Sequence, residues 1–433
     1  MNNISKAILI IFLSSIWFSG ITISDGITIS QLLGVIYSIF WVINRTLQKR
    51  RSKTIQLAYY YNSNILFSIN VFLLVSVISI VYASYTYLAI TSIKTMLMNA
   101  LMMAFIIDNI ITIKDYLIIY RSITYSGILS TILAVTKAAG VNILGLVELH
   151  KKALDNVLDN SDIRRYGFFD DPNFAAQSMI IILILTIFLY LFSNNQKEKL
   201  VLRISVLIEL IAIIFTNSRG GFLTLCAIIL VLIKHLKISS KNIMLVIIFL
   251  ATISIVMLNV HKYNRLKSLS LLLTSNDIAS SDSSIKLRVA AINAGIAMYL
   301  KNPILGVGIG NSPMWNIEYG TDMLVAGHNM YLTIMCEVGT IGLLIFFYSI
   351  AKLIRSMKIA ERIIINRLHY IASSLKISIY SFLISSLFLS SLHIKIFWVL
   401  LALSVSLTTI MKKNTRQAVF LRGHGLAKLT SRV

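Results

Sequence analysis

Apolar residues run through this chain in long unbroken stretches, cut by short polar interruptions, near 6–23, 27–44, 64–84, 88–108, 122–140, 173–193, 200–216, 221–236, 242–260, 329–351, 371–391 and 394–411. A helix of about 20 apolar residues rising ~1.5 Å each crosses a hydrocarbon core of about 30 Å, so each stretch predicts a transmembrane helix. A closed β-barrel would need apolar and polar residues to alternate over strands of about 10 residues, and these stretches do not alternate. The pattern predicts an all-α, polytopic integral membrane protein of about 12 helices. One segment has a different period. Ile285, Val289, Ile292, Ile296 and Tyr299 recur at helical spacing over 284–301, which predicts an amphipathic helix lying on the membrane surface.

Composition excludes a soluble domain: 57% of the 433 residues are hydrophobic and 13% charged, with a mean hydropathy of +0.81. The net charge of +23 would suggest nucleic acid in a soluble protein, but here its location decides. Twelve crossings put both termini on one side, and that side collects well over half of the 40 Lys and Arg, including Arg45–Lys53, Lys197–Arg203, Lys352–Arg367 and the tail from Lys412. Basic loops stay cytoplasmic, so both termini are expected inside and no nucleic-acid partner is expected. The two long segments on the other face, 141–172 and 261–327, are nearly neutral and hold all three prolines. The expected order is helices over 1–140, an outer loop 141–172, helices over 173–260, a large outer segment 261–327, helices over 328–411 and a basic tail 412–433. Lys6 and the apolar run after it look like a signal peptide, but no small-residue cleavage site follows, which predicts an uncleaved first span. Cys226 and Cys336 lie in apolar stretches without ligands at metal spacing, so they read as core residues.

Polar residues concentrate at the outer ends of the spans. Arg219, in Asn217-Ser-Arg-Gly-Gly221, precedes a short span and is expected below the outer surface, either snorkelling to lipid phosphate or binding a phosphate in a cavity with Gly220 and Gly221 opening the backbone to it. His328, in Gly327-His-Asn-Met-Tyr331, is a candidate general base. On a continuous helix it would share a face with Gly339 and Gly342, while Glu337 would point away and lie about 13 Å deeper. Arg288 sits at the polar edge of the amphipathic helix. Asn302-Pro-Ile-Leu-Gly306-Val-Gly308 predicts a tight turn over a ligand. Asp170-Asp-Pro-Asn173, after Arg164 and Arg165, is a cation site or an ordinary turn and helix cap. Asp108, Glu209 and Glu337 are intramembrane acids, read as partners of cations or hydroxyls, or as catalytic groups.

These residues resemble the O-antigen ligase and polymerase superfamily. Arg219-Gly-Gly-Phe-Leu223 resembles its R-x3-L element and His328 with Gly339 its H-x10-G element, while Asp171-Pro-Asn173, Asn302–Gly308 and Glu337-x-Gly-x-x-Gly342 are similar to segments of polymerases of the Wzy type. The resemblance covers about residues 160–345 and implies a GT-C-like glycosyltransferase acting at the periplasmic face of a bacterial inner membrane on undecaprenyl-pyrophosphate-linked glycans. It implies that His328 and Arg219 are catalytic and that Arg288, Arg164, Arg165, Asn329, Asp171, Asn173 and Tyr331 bind pyrophosphate or sugar. Glu337, Gly339, Gly342, Gly306 and Gly308 would support them, with neither metal nor cofactor and with a chain-length regulator as a further partner. Polymerisation of repeat units is the expected job, transfer of finished polymer to lipid A-core the sister possibility, and secondary transport a different class that the intramembrane acids permit.

Overall fold

The computed structural model describes residues 3–24, 27–48, 53–138, 169, 171–237, 283–314, 327–363 and 367–423. Its main helices are α1 (Asn3–Ser14, extended by a 3-10 turn Ser15–Phe18), α2 (Ile29–Gln48), α3 (Lys53–Ile78), α4 (Thr86–Asn109), α5 (Ile113–Ala138), α6 (Pro172–Phe192), α7 (Gln196–Phe215), α8 (Arg219–Leu236), α9 (Ser283–Lys301), α10 (Met330–Ile363), α11 (Leu368–Ser385) and α12 (Lys395–Gly423). A two-stranded ribbon of Thr22–Ser24 and Ile27–Thr28 joins α1 to α2. Eleven of these helices fall on predicted spans and α9 on the predicted amphipathic segment; the expected span 242–260 lies outside the described residues. Seven described helices are long and apolar enough to cross a membrane, among them α6, α8, α10 and much of α12. The fold is that of an all-α polytopic membrane protein.

Helix α6 is the buried centre. Its residues Ala175–Thr186 are covered without interruption, which an all-round apolar sequence requires, and α5, α7, α8 and α11 surround it. Helix ends gather in two layers. One holds ion pairs between Lys6 and Asp115, Arg45 and Asp108, Arg121 and Glu198, and Lys376 and Glu361. The other holds the 3-10 turns, the ribbon and the entries to α6, α8, α10 and α12. The intramembrane acids have separate partners: Trp41 Nε1 donates to Asp108 (2.9 Å), Thr186 Oγ1 to Glu209 (2.7 Å) and Ser312 Oγ to Glu337 (2.8 Å). That agrees with the reading of these acids as partners of cations and hydroxyls.

Two elements depart from their predicted form. The span expected to reach 391 stops at Ser385, because Ser386 Oγ donates back to Phe382 O (2.7 Å) and meets Ser391 Oγ (2.6 Å), giving the chain hydrogen bonds outside the helical ladder. Helix α10 is broken at Gly339, with φ 70° and ψ −170°. In a straight helix Tyr331 and Phe347 would lie about 24 Å apart along the axis. Their rings instead stack with centroids 5.5 Å apart, so the chain folds back at Gly339. The fold-back leaves the carbonyls of Cys336 and Glu337 without helical partners, and the Asn302–Gly310 turn supplies them: Val307 N donates to Cys336 O (2.8 Å) and Gly308 N to Glu337 O (3.0 Å). Thr340 N returns a bond to Pro303 O (2.9 Å). The glycine turn therefore covers the break in α10, and with Tyr82 and Ser84 it also lines a cavity of about 460 Å³. On its far side it rests on the α3–α4 turn, where Tyr85 N donates to Asn311 Oδ1 (2.8 Å).

Helix α9 runs beside the first turns of α10 in the same direction. Gly295 abuts Leu332, the Cys336 thiol donates to Gly295 O (3.1 Å), and Tyr299 Oη lies 2.9 Å from Thr340 Oγ1. The packed face is Ala291, Ala294, Gly295 and Met298, while the predicted stripe of Val289, Ile292 and Ile296 stays exposed on the protein's exterior. Small residues let two helices approach closely, and the larger ones are left to face lipid.

Candidate active site

The entries of α6 and α8 are latched together. Asp171 caps α6, accepting from the backbone amides of Asn173 (2.7 Å) and Phe174 (3.1 Å), with Pro172 at the first helical position. Ser218 caps α8, accepting from Gly221 N (3.0 Å), and its hydroxyl donates to Asn173 Oδ1 (2.7 Å). Arg219, partly buried, is thus the first residue of a helix whose start is tied to the centre of the bundle. The two glycines after it serve packing. A Cβ on Gly220 would lie 2.9 Å from Phe388 Cβ, and one on Gly221 2.5 Å from Ala176 Cβ, so both are fixed by neighbouring helices and do not open the backbone to a ligand.

His328 sits just before α10 in a left-handed conformation, φ 43°. It precedes Asn329, the residue whose side chain caps α10, so it lies outside the helix and the helical wheel through Gly339 and Gly342 does not apply. Two charged groups act on it through space: Arg288, from the α9 face that turns toward α10, and Asp171, from the α6 entry. Burial pushes the imidazole below its usual range; the Arg288 guanidinium pushes it further down, and the Asp171 carboxylate opposes both. Its neutral form therefore dominates near pH 7. The structure brings His328, Arg288 and Asp171 together, and Asp171 leads by two residues to the Asn173–Ser218 latch beside Arg219.

Other expected site residues have structural duties. Asn329 Oδ1 accepts from the amides of Tyr331 (3.0 Å) and Leu332 (3.1 Å). Tyr331 Oη donates to Leu383 O (2.7 Å) while its ring stacks on Phe347. Glu337 accepts from Ser312 and so holds the chain leaving the glycine turn, which rests on the α3–α4 turn. Gly306 and Gly308, at φ 75° and 95°, shape the turn, and Gly339 shapes the break, so Gly339 and Gly342 do not continue one helical face from His328. A Cβ on Gly342 would meet Val338 at 2.6 Å. Arg164 and Arg165 lie outside the described residues. Among those described, no three His, Cys, Asp or Glu side chains are grouped to hold a metal ion.

Sequence reasoning missed Ser218, Gln177 and the serine turn Ser385–Ser391. Gln177 Nε2 donates to Ser385 Oγ (2.5 Å), Met330 N to Ser386 O (2.9 Å), and Thr333 Oγ1 lies 2.9 Å from Ser390 Oγ, which joins the entries of α6 and α10. Four serines within seven residues were the available signal.

No curated protein matches the chain. Residues 204–347 match the family model described as O-Antigen ligase, a span that runs from α7 past the fold-back in α10 and contains Arg219, Arg288 and His328. Over that span the chain is similar to the O-antigen ligase family.

Proposed function

We propose that the chain polymerises undecaprenyl-pyrophosphate-linked oligosaccharide repeat units into O-antigen or capsular polysaccharide, at the periplasmic face of a bacterial inner membrane. The observation that supports this reading is the neutral His328 imidazole beside the Arg288 guanidinium, at helix entries tied to the one that carries Arg219. In the proposed reaction an acceptor hydroxyl gives its proton to His328 as its oxygen attacks the donor's anomeric carbon from the face opposite the leaving group. The carbon–oxygen bond to pyrophosphate breaks, and the electron pair leaves with undecaprenyl pyrophosphate, whose charge Arg219 and Arg288 neutralise through forked hydrogen bonds. Configuration at the anomeric carbon inverts. Because the arginines carry the charge neutralisation, the proposal assigns no step to a metal.

The family description favours a second reading, transfer of finished polymer to lipid A-core, which needs the same base and the same leaving group. The glycan profile of a strain lacking the protein separates the two. Loss of a polymerase leaves core carrying a single repeat unit, the expected result, since ligation continues. Bare core with polymer held on the lipid carrier would establish the ligase reading in its place, and an unchanged profile would sink both.

A further inference from the structure

Between α3 and the limb of α10 that follows Gly339, a groove of about 790 Å³ opens on the protein's exterior, walled by Asn64, Phe67, Val71, Leu344, Phe347 and Tyr348. The two helices run antiparallel. Helix α3 leads up to the glycine turn, where Tyr82 Oη donates to Leu305 O (2.8 Å), and the limb of α10 leads away from it, where Thr340 N donates to Pro303 O (2.9 Å). The rings of Phe72 and Phe346 meet with centroids 6.1 Å apart, which sets the register. Counted from that contact at ~1.5 Å per residue, Asn64 and Arg355 lie about 12 to 14 Å nearer the layer of ion pairs, at nearly the same depth. Lys412 marks that layer beside them, donating to Tyr61 O (2.8 Å) and Asn62 Oδ1 (3.0 Å). From Leu344 to Ala351 the groove is about 10 Å long, which fits within one leaflet of about 15 Å.

That end of the groove is cationic. Leu344, Tyr348, Ala351 and Arg355 recur at intervals of four, three and four, within an arc of about 60° on α10, so the exposed Arg355 continues the wall one turn past Ala351. Lys352 Nζ sits over the Tyr348 ring, 5.1 Å from its centroid. Among the described residues neither Lys352 nor Arg355 is paired with a carboxylate, and the wall segments 53–82 and 338–360 hold no Asp or Glu. Glu361, the next acid on α10, is held by Lys376 and Ser373. Level with Arg355 on the other wall, the Asn64 amide is exposed. Apolar walls ending in two cations and an amide match an acyl chain joined to a phosphate, and basic pockets between membrane helices hold anionic head groups in this way. Arg219 and Arg288 lie at the opposite layer, so a carrier held there does not bring its pyrophosphate to this end.

We infer that this groove binds one phospholipid with a net negative head group, in the leaflet on the side of the ion-paired layer. An acyl chain lies along Phe67, Val71, Leu344 and Phe347, and Lys352, Arg355 and Asn64 hold the phosphate. Phe347 stacks on Tyr331 with centroids 5.5 Å apart, so the bound chain braces the two limbs of α10 against each other. The inference stands apart from the glycan-transfer reading, since none of these residues has a part in the proposed reaction.

The test is native mass spectrometry of the full-length protein, stripped of lipid in detergent and titrated with phosphatidylglycerol or phosphatidylethanolamine. Wild type should bind one phosphatidylglycerol saturably, on the order of tenfold more tightly than phosphatidylethanolamine, as two cations beside an anionic head group imply. Two variants separate the halves of the site. Lys352→Gln/Arg355→Gln keeps the groove and removes the charge, whereas Ala351→Trp, at an exposed position, fills the groove and keeps the charge. Each should lose that one lipid. Equal affinity of wild type for the two lipids would overturn the inference without recourse to any variant. Survival of the bound lipid in the double variant would reduce it to apolar contact alone, and survival in Ala351→Trp to surface charge alone; either result overturns the site. Displacement by undecaprenyl phosphate at equal concentration would assign the groove to the polyprenyl carrier instead, and a mass of two chains that takes up neither phospholipid would assign it to a second copy.

Discussion

At the scale of single residues, the His328 surroundings set an opposed pair of expectations. A general base works in its neutral form, so a histidine held below its usual range keeps activity to lower pH than an ordinary one, and the acid limb of kcat/KM follows it. Arg288→Gln removes a cation that destabilises the protonated ring, so the limb should move to higher pH. Asp171→Asn removes the anion that stabilises it and should move the limb lower, and Asn can still cap α6. The measured quantity is the position of the limb, because Arg288 is also proposed to bind pyrophosphate and its loss lowers the rate at every pH; limbs that move together would remove His328 as the titrating base. For Arg219 the conservative change is the informative one. Lysine keeps the charge but not the planar fork, so Arg219→Lys should slow chain extension by purified protein on the order of 10²-fold, whereas a snorkelling arginine would be replaced with little loss.

At the scale of elements, the break in α10 decides which residues share a site. Hydropathy shows that 329–351 is apolar, and it reads the same whether the helix is straight or folded at Gly339. The H-x10-G spacing was therefore legible in the sequence while its geometry was not, since His328 stands outside the helix and Gly339 breaks it, so the two share no helical face. The amphipathic helix was legible by its large residues. Its packed face, Ala291, Ala294 and Gly295, was not, because small side chains carry little periodic signal, yet this face directs Arg288 toward His328. Asp171, by contrast, was legible as a helix cap, and the structure adds that its carboxylate acts on His328. The fold-back makes Gly339 the least replaceable glycine of this region. At φ 70° and ψ −170° only glycine is comfortable, and a Cβ would strike the Ile304 carbonyl. Gly339→Ala should cost at least ~1–3 kcal/mol and lower the thermal unfolding temperature of the purified protein, while Gly327→Ala, whose Cβ would meet Thr333 Oγ1 at 3.2 Å, should leave it nearly unchanged.

At the scale of the whole molecule, the two layers of helix ends fix which ends lie together, and the charge of each layer argues which faces the cytoplasm. One layer gathers Lys6, Arg45, Lys199, Arg203, Lys352, Arg355, Arg362, Arg367 and Lys412, and only a few of these are answered by acids, as in the pairs of Lys6 with Asp115 and Arg45 with Asp108. The other carries the candidate site. An excess of Lys and Arg near span ends holds a layer on the cytoplasmic side, whereas carboxylates contribute little to orientation, so the paired acids do not cancel the signal. On that orientation the candidate site is expected to open to the periplasm, where the proposed function needs lipid-linked repeat units to be delivered before they are joined. Fusing a reporter that works only in the periplasm after Asn316, and separately after Gly423, measures this directly. Activity is expected at Asn316 and none at Gly423. The reverse result would turn the molecule over and place His328 and Arg219 in the cytoplasmic leaflet, where they could not act on glycans already carried across, so the proposed function would fall together with the orientation.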